Sequence, residues 1–456
     1  MKYIFTLLSF LSTGYSLSAQ VWTTKADQSA LLEKSNYHVA TASKKNPVIE
    51  INEKKTFQSV DGFGFTLTGG SAMLINKMND AAKQSLLQEL FGKGENAIGI
   101  SYLRVSIGAS DLDSSVFSYD DLPQGETDES LSKFSISKDA DNLIPILQSI
   151  LKINPAIKIM GSPWSPPTWM KDNGKSKGGH LMLKYYDAYA RYFLKYLLEM
   201  KKNGISIDAI TLQNEPEHGG NNPSMLMTAK EQADFVANYL GPLFQKNNIN
   251  TKIIVWDHNC DHPEYPIAVL NNSIAKKYID GSAFHLYNGD ISALTEVKNI
   301  HPDKKLYFTE QWTGSKGTFD GDFIWHTKNV IIGSMKNWSS VALEWNLAND
   351  PKFEPHTPGG CTECKGALTI DGSSVKRNVA YYIIAQASKF VPAGSIRIES
   401  TYIKELENVA FIRPDGKIVL IVLNEKGVEL EFDIMFRGKS IIATMNPNSA
   451  ASFVLE

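Results

Sequence analysis

The chain of 456 residues is 43% hydrophobic, 10% aromatic and 21% charged, a globular composition that excludes a mostly disordered, collagenous or coiled-coil protein. Its 46 basic residues face 49 acids, for a formal charge of −3, so there is no basic excess to bind nucleic acid by counterion release. The length suits one large barrel plus a modest second unit, or about three average domains.

Met1-Lys2 precede an apolar run from Ile4 to Leu11 and then a small, polar stretch ending in Ser16, Ser18 and Ala19. This pattern predicts a secretory leader over 1–19, too short to span a bilayer, with an unprocessed tail as the alternative. No cysteine lies near the cleavage region to carry a lipid. The expected location is secreted or periplasmic. No later stretch reaches about 20 apolar residues, so stable membrane insertion is not expected.

Residues 20–58 are expected to serve a β side domain, with a strand over 47–58. Eight strand-like segments follow, at 61–66, 102–107, 157–162, 209–213, 252–256, 282–286, 306–309 and 341–344. Most are runs of Val, Ile, Leu, Tyr and Phe without clean alternation, as parallel strands covered by helices require. The strongest intervening helix is predicted over 181–203, where Tyr186, Tyr189, Ala190, Phe193, Leu194 and Leu197 recur at helical spacing and Gly204 stops the run. Strand–helix alternation repeated eight times predicts an α/β fold, a (β/α)8 barrel over 59–390. From 391 to 456 the pattern changes to short β runs at 409–412, 418–422, 429–434, 440–445 and 451–454. They are broken by Pro414-Asp415-Gly416, Glu425-Lys426-Gly427 and Asn446-Pro447-Asn448, which predicts an antiparallel, sandwich-like domain.

The cysteines are Cys260, Cys361 and Cys364. Cys361-Thr362-Glu363-Cys364 has the spacing of a redox pair or half a zinc site, but no second pair completes four ligands, even with His356 as a third. In an exported protein a local disulfide is favoured over free thiols or metal. No cofactor and no metal is expected, and the sequence does not address oligomeric state.

In such a barrel the active site is built where the strands end at their C-terminal face. Strand 2 leads into Arg104 and Asp111, and strand 3 into Gly161-Ser162-Pro163-Trp164-Ser165-Pro166-Pro167-Thr168-Trp169. Strand 4 ends in Gln213-Asn214-Glu215-Pro216-Glu217-His218, strand 6 in His285-Leu286-Tyr287, strand 7 in Thr309-Glu310-Gln311-Trp312 and strand 8 in Glu344-Trp345-Asn346. Taken singly, each has a plain structural reading: a solvated turn acid at Glu215, a paired buried acid at Glu310, core tryptophans, a satisfied core histidine. Their shared position at one end of consecutive strands favours function. Two carboxylates among tryptophans suit cleavage of a glycosidic bond, one acid protonating the leaving oxygen while a carboxylate attacks the anomeric carbon and indoles stack on sugar faces.

Asn214-Glu215-Pro216 closing strand 4 and Glu310 closing strand 7 resemble the clan A retaining glycosidases. Asp61-Gly62-Phe63-Gly64, Tyr102-Leu103-Arg104 with Asp111, the Gly161–Met170 stretch, Phe284-His285-Leu286-Tyr287 and Glu344-Trp345-Asn346-Leu347-Ala348 resemble, more narrowly, glycoside hydrolase family 30, the glucosylceramidase family. The resemblance runs from about residue 50 to the C-terminus and implies a side domain built from both chain ends. It implies Glu215 as acid/base, protonated at rest, and Glu310 as ionised nucleophile. Asn214 would bond the sugar 2-hydroxyl, Tyr287 orient the nucleophile, His285 line the same wall and Arg104 support it. Asp111, Trp164 and Trp345 would grip the non-reducing glucose, with Trp312 also bordering substrate. Two stretches, Phe65-Thr66-Leu67-Thr68-Gly69-Gly70 and Gln311-Trp312, depart from the animal glucosylceramidase pattern and look more like the branch that cleaves β-1,6-glucan. The implied partner is thus a β-glucan or glucoside, with glucosylceramide second and a non-catalytic glycan binder a remote third.

Overall fold

The computed structural model describes residues 18–38 and 46–455. Its centre is a closed barrel of eight parallel strands: β1 (Gly62–Thr66), β2 (Tyr102–Ser106), β3 (Lys158–Ser162), β4 (Ala209–Thr211), β5 (Lys252–Cys260), β6 (Ile279–Gly289), β7 (Lys305–Glu310) and β8 (Ser339–Asn346). β8 pairs with β1 to close the ring. Both faces of the strands are buried, which is why the apolar runs do not alternate with polar residues. Tyr102, Met160, Ala209, Ile254, Ala283, Tyr307, Val341 and Leu343 fill the interior. Leu103, Ile159, Ile210, Phe284 and Phe308 face outward into the layer covered by helices.

Two differences from the sequence expectation have local causes. The helix predicted over 181–203 is regular over Tyr186–Lys202, because Leu181 instead pairs with Lys171 and the Met182 amide donates to Met170 O. β5 and β6 run past the predicted 252–256 and 282–286. The apolar pattern stops at the rim while backbone pairing continues through Asp257, His258 and Asn259, with register shifts at Trp256/His258 and Asn259/Cys260.

The second unit is a nine-stranded sheet made from both chain ends. Ser18–Lys25 lies between Glu33–His38 and Ser449–Leu455, and Val48–Ser59 lies between Ile396–Ser400 and Leu430–Phe436. Its core holds Ile49, Ile51, Leu420, Val422, Phe432, Ile434 and Phe453. The leader predicted over 1–19 falls mainly on residues outside those described, while Ser18 and Ala19 belong to the first strand and Ala19 is buried.

The two units meet through the helix Val379–Ser388. Its buried Gln386 accepts from Thr24 Oγ1 and donates through Nε2 to Trp22 O and Ser452 Oγ, while Ser452 Oγ donates to Gln386 O. Removing that amide takes one hydrogen bond each from Thr24 Oγ1, Trp22 O and Ser452 Oγ, at about 0.5–1.5 kcal/mol per bond lost. Thr24 Oγ1 keeps the Leu32 amide and Ser452 Oγ the backbone carbonyl of residue 386. Gln386→Ala is therefore expected to lower Tm by several degrees while KM of the remaining folded protein is unchanged. A calorimetric scan paired with steady-state kinetics checks both halves.

Candidate active site

The site grows from the strand ends around one cation. Arg104 on β2 is fully buried. It donates through Nε to Ser162 Oγ (3.0 Å), through Nη2 to Asn214 Oδ1 (2.6 Å) and Asp257 Oδ2 (2.8 Å), and through Nη1 to Glu310 Oε2. Its Cζ lies 4.8 Å from the Trp164 ring centre and 5.8 Å from that of Trp345, so two indoles take the remaining faces. Because Asn214 Oδ1 is occupied by Arg104, the amide nitrogen is the end left for the pocket.

Asp257, at the bulged end of β5, is the second hub. Oδ2 accepts from Arg104 and Thr211 Oγ1 (2.7 Å), and Oδ1 from Thr309 Oγ1 (2.7 Å) and His285 Nε2 (3.1 Å). Burial would raise its pKa, but Arg104, His285 and these hydroxyls hold it far below the usual carboxylate range. His285 Nδ1 in turn lies 3.3 Å from Glu215 Oε1 and 3.8 Å from Glu310 Oε1. Burial opposes a charged ring, yet Glu310, Asp257 and Glu215 together push His285 up to about 9. Tyr287 Oη donates to Glu310 Oε1 at 2.9 Å.

Glu215 and Glu310 thus meet across the barrel mouth. One oxygen of each and a ring nitrogen of His285 lie within 4.8 Å of one another. The pair titrates as a unit. Burial pushes both carboxyls up. At Glu215 the hydrogen bond and charge of His285 outweigh burial and bring it below its ordinary value, while at Glu310 burial and repulsion from Glu215 outweigh His285 and Arg104. These directions follow from His285 lying nearer to Glu215 than to Glu310. The same geometry bears on metal binding. Both His285 nitrogens already face carboxylates, and Arg104 occupies an oxygen of Glu310, so a cation here would meet two positive charges.

Around the pair lies an open pocket of about 500 Å³ lined by Asp111, Trp164, Asn214, Tyr287, Trp312 and Trp345, with Asn221, Cys361 and Cys364. The residues given site roles in the sequence are gathered here, with Arg104 and His285 bonded to the glutamates from beneath, whereas Trp169 donates to Asp120 O and Glu344 pairs with His326. The variant run after β1 contributes indirectly. Thr68 caps the helix Gly69–Lys77, and Thr68 Oγ1 and Ser71 Oγ donate to Asn346 Oδ1, beside Trp345. A Cβ on Gly69 would sit 1.7 Å from Asp113 Oδ1, and Asp113 accepts from Ser110, which holds the loop carrying Asp111. Gln311 donates to Leu286 O and accepts from the Trp312 amide, fixing the rim on the other side.

Residues 60–391 match the glycosyl hydrolase family 30 TIM-barrel domain and residues 394–453 the beta sandwich domain of the same family. The chain belongs to glycosyl hydrolase family 30. Among relatives, an endo-1,6-beta-D-glucanase of Aspergillus fumigatus is 34% identical, over 81% of this chain and 79% of that protein. A putative glucosylceramidase of Caenorhabditis elegans is 31% identical, over 82% and 76%. The solved structure of the endo-beta1,6-glucanase BT3312 superposes with a TM-score of 0.90 at 30% identity, covering 96% of this chain and 99% of that one.

Within this family 30 site, sequence reading missed Asp257 and Asn221. Asp257 had a usable signal, an acid placed directly after a strand like Glu310. Asn221, whose amide reaches Glu215 Oε2 at 3.4 Å, sits in the loop after Pro216 and had none.

Asp257→Asn keeps the shape but removes the charge that holds Arg104 and His285. Its kcat is expected to fall by about 10²-fold or more, the scale of losing a preorganised polar partner, with the His285 pKa moving down in an NMR titration. The wild type carries a linked signature. A His285 pKa raised from 6.5 to about 9 on folding contributes stability fully present below about 6.5 and lost as pH rises through about 9. Tm should decline across that window, and His285→Gln should flatten the decline.

Proposed function

We propose that the protein is a secreted retaining β-glycoside hydrolase that cleaves β-1,6-glucan, with Glu310 as nucleophile and Glu215 as general acid and base. The observation that carries the chemistry is the facing pair of buried glutamates at the ends of β4 and β7, close enough for the about 5–5.5 Å spacing of retaining enzymes. The substrate class rests on the endo-1,6-glucanase relatives and on the two departures from the glucosylceramidase pattern. Secretion rests on the N-terminal sequence pattern.

In the first step Glu310, held by Arg104 and Tyr287, attacks the anomeric carbon, and Glu215 gives its proton to the departing oxygen. In the second, Glu215 takes a proton from water, which displaces Glu310 from the glycosyl ester. Two cations, Arg104 and His285, face three acids, Asp257, Glu215 and Glu310, so neutrality of this buried cluster leaves one proton for the glutamate pair. A glycosidic oxygen beside Glu215 favours that proton on Glu215, because only the protonated carboxyl can donate to it. Asn214 bonds the 2-hydroxyl. Asp111, Trp164 and Trp345 hold the non-reducing sugar, and Trp312 and half-exposed Tyr287 border the rim.

Glucosylceramide is the second substrate reading, kept by the 31% identical relative named for that activity. Incubation with pustulan, a linear β-1,6-glucan, and separately with glucosylceramide in detergent decides between them. Gentio-oligosaccharides or glucose from pustulan alone supports the proposal. Glucose and ceramide from the lipid alone transfers it to the second reading, and pustulan bound without cleavage shows a non-catalytic binder. Glu310→Gln is expected to abolish turnover with the fold intact. Glu215→Ala should keep activity chiefly on aryl glucosides with activated leaving groups and regain rate with azide. A product of inverted anomeric configuration in an NMR time course would refute the two-step scheme.

A further inference from the structure

One wall of the sugar pocket is not made by a barrel strand. It comes from the segment after β8 and is closed by the Cys361–Cys364 disulfide, which lines the pocket directly. The two ends of this four-residue ring are tied to different sides of the site. The Cys361 amide donates to Asp111 Oδ2 at 3.2 Å, and upstream the Thr357 amide donates to Asp111 O at 2.9 Å. Cys364 pairs with Gly314 and Lys365 with Thr313 in a short antiparallel ladder, placing Cys364 against the segment that carries Trp312. Between these anchors the ring packs in one apolar cluster with Leu112, Trp164, Trp345 and Trp312.

We propose that the Cys361–Cys364 disulfide is a positioning element of the sugar-binding pocket, coupling the Asp111 side to the Trp312 side so that its redox state sets substrate affinity. The proposal rests on the reading of this pocket as the sugar site. Glu215, Glu310, Arg104, Asp257 and His285 are held by strand ends and by one another, without help from the ring. Opening the disulfide therefore frees Asp111 and the aromatic wall while leaving the reacting pair in place. Substrate binding weakens and the chemical step does not.

Reduction is ordinary thiol–disulfide exchange. Dithiothreitol supplies two electrons and two protons, the Sγ–Sγ bond becomes two thiols, and the reagent is oxidised to its cyclic disulfide. Cys260, the remaining cysteine, is buried away from the ring and is unaffected. Asp111 provides an independent readout. Burial and the nearby Glu310 push its carboxyl up to about 7, and the Cys361 N–H opposes them. Loss of that donor moves Asp111 further up.

The test is steady-state kinetics on pustulan with oxidised wild type, dithiothreitol-reduced wild type and the Cys361→Ser/Cys364→Ser double variant. Reduction and the double variant should raise KM by about tenfold (the scale of 1.4 kcal/mol) with kcat within about twofold. The limb of the kcat/KM profile that reports Asp111 should shift to higher pH. In an Asp111→Asn background reduction should change KM little further, because the ring would then have lost the group it positions. Unchanged KM in reduced protein, with mass spectrometry showing both thiols free, overturns the proposal, as does a change in Tm alone. If the double variant fails to fold, the reduced wild type still decides. Oxidised wild type inactive on pustulan would instead count against the proposed function.

Discussion

A guanidinium withdrawn wholly from water is costly unless partners replace its hydration, and this barrel is organised around meeting that requirement for Arg104. The partners come from the ends of β3, β4, β5, β7 and β8: Ser162, Asn214, Asp257, Glu310 and the two indoles. Closing the barrel and assembling the site are consequently the same event. A slip of one strand relative to its neighbour would leave a buried charge short of an acceptor, so the electrostatics of the mouth help specify strand register as well as chemistry. The opposite end of the barrel solves a smaller version of the problem, where Asp61 is paired with Lys158 and Lys305. The facing glutamates lie at the other end, in keeping with the division of this fold into a functional top and a structural base.

The backbone shows where this organisation is hardest to satisfy. Glu215, Trp256 and Asp257 hold φ of 47°, 71° and 69°, a left-handed region in which side chains bring strain. Glu215 lies just beyond β4, and Trp256 and Asp257 form the irregularity within β5 where its register shifts against β6 and a carboxylate is turned inward. The strain persists because the side chains are over-determined: Asp257 has four hydrogen-bond partners, and the Glu215 amide donates to Asp257 O at 3.0 Å. Local conformational cost and the pre-set distance between the glutamates are two aspects of one arrangement.

How much of this was legible in sequence depends on whether a feature is local. The barrel strands announce themselves because burial on both faces demands continuous apolar runs, and Glu215 and Glu310 could be found because they directly follow such runs. Asp257 follows one as well, but the run at 252–256 ends in a tryptophan, and the pairing that extends β5 to Cys260 depends on β6. The strands Glu33–His38 and Ile396–Ser400 were invisible for a related reason. Neither has an apolar run of its own, and each exists through pairing with Ser18–Lys25 or with Val48–Ser59. The cysteine pair could be read as a local disulfide from the exported context, but its place against Asp111 and the tryptophans follows from the path of the segment after β8, which no motif describes.

The protonation of the glutamates is the clearest case in which residue identity is insufficient. The family pattern assigns an acid and a nucleophile, yet the structure assigns charges to a cluster. With Arg104 and His285 both cationic, three carboxylates can hold two negative charges and one proton at overall neutrality, and the proton is free to reside on either member of the facing pair. His285 draws negative charge toward Glu215, while Arg104 and Tyr287 offer Glu310 two donors that suit its ionised form. The placement of that proton is set by the balance of these opposing hydrogen bonds, and an acceptor beside Glu215 adds weight to the Glu215 side. A site built this way need not hold its acid permanently protonated. It needs only one proton shared by the facing pair, which an acceptor beside Glu215 draws to that side.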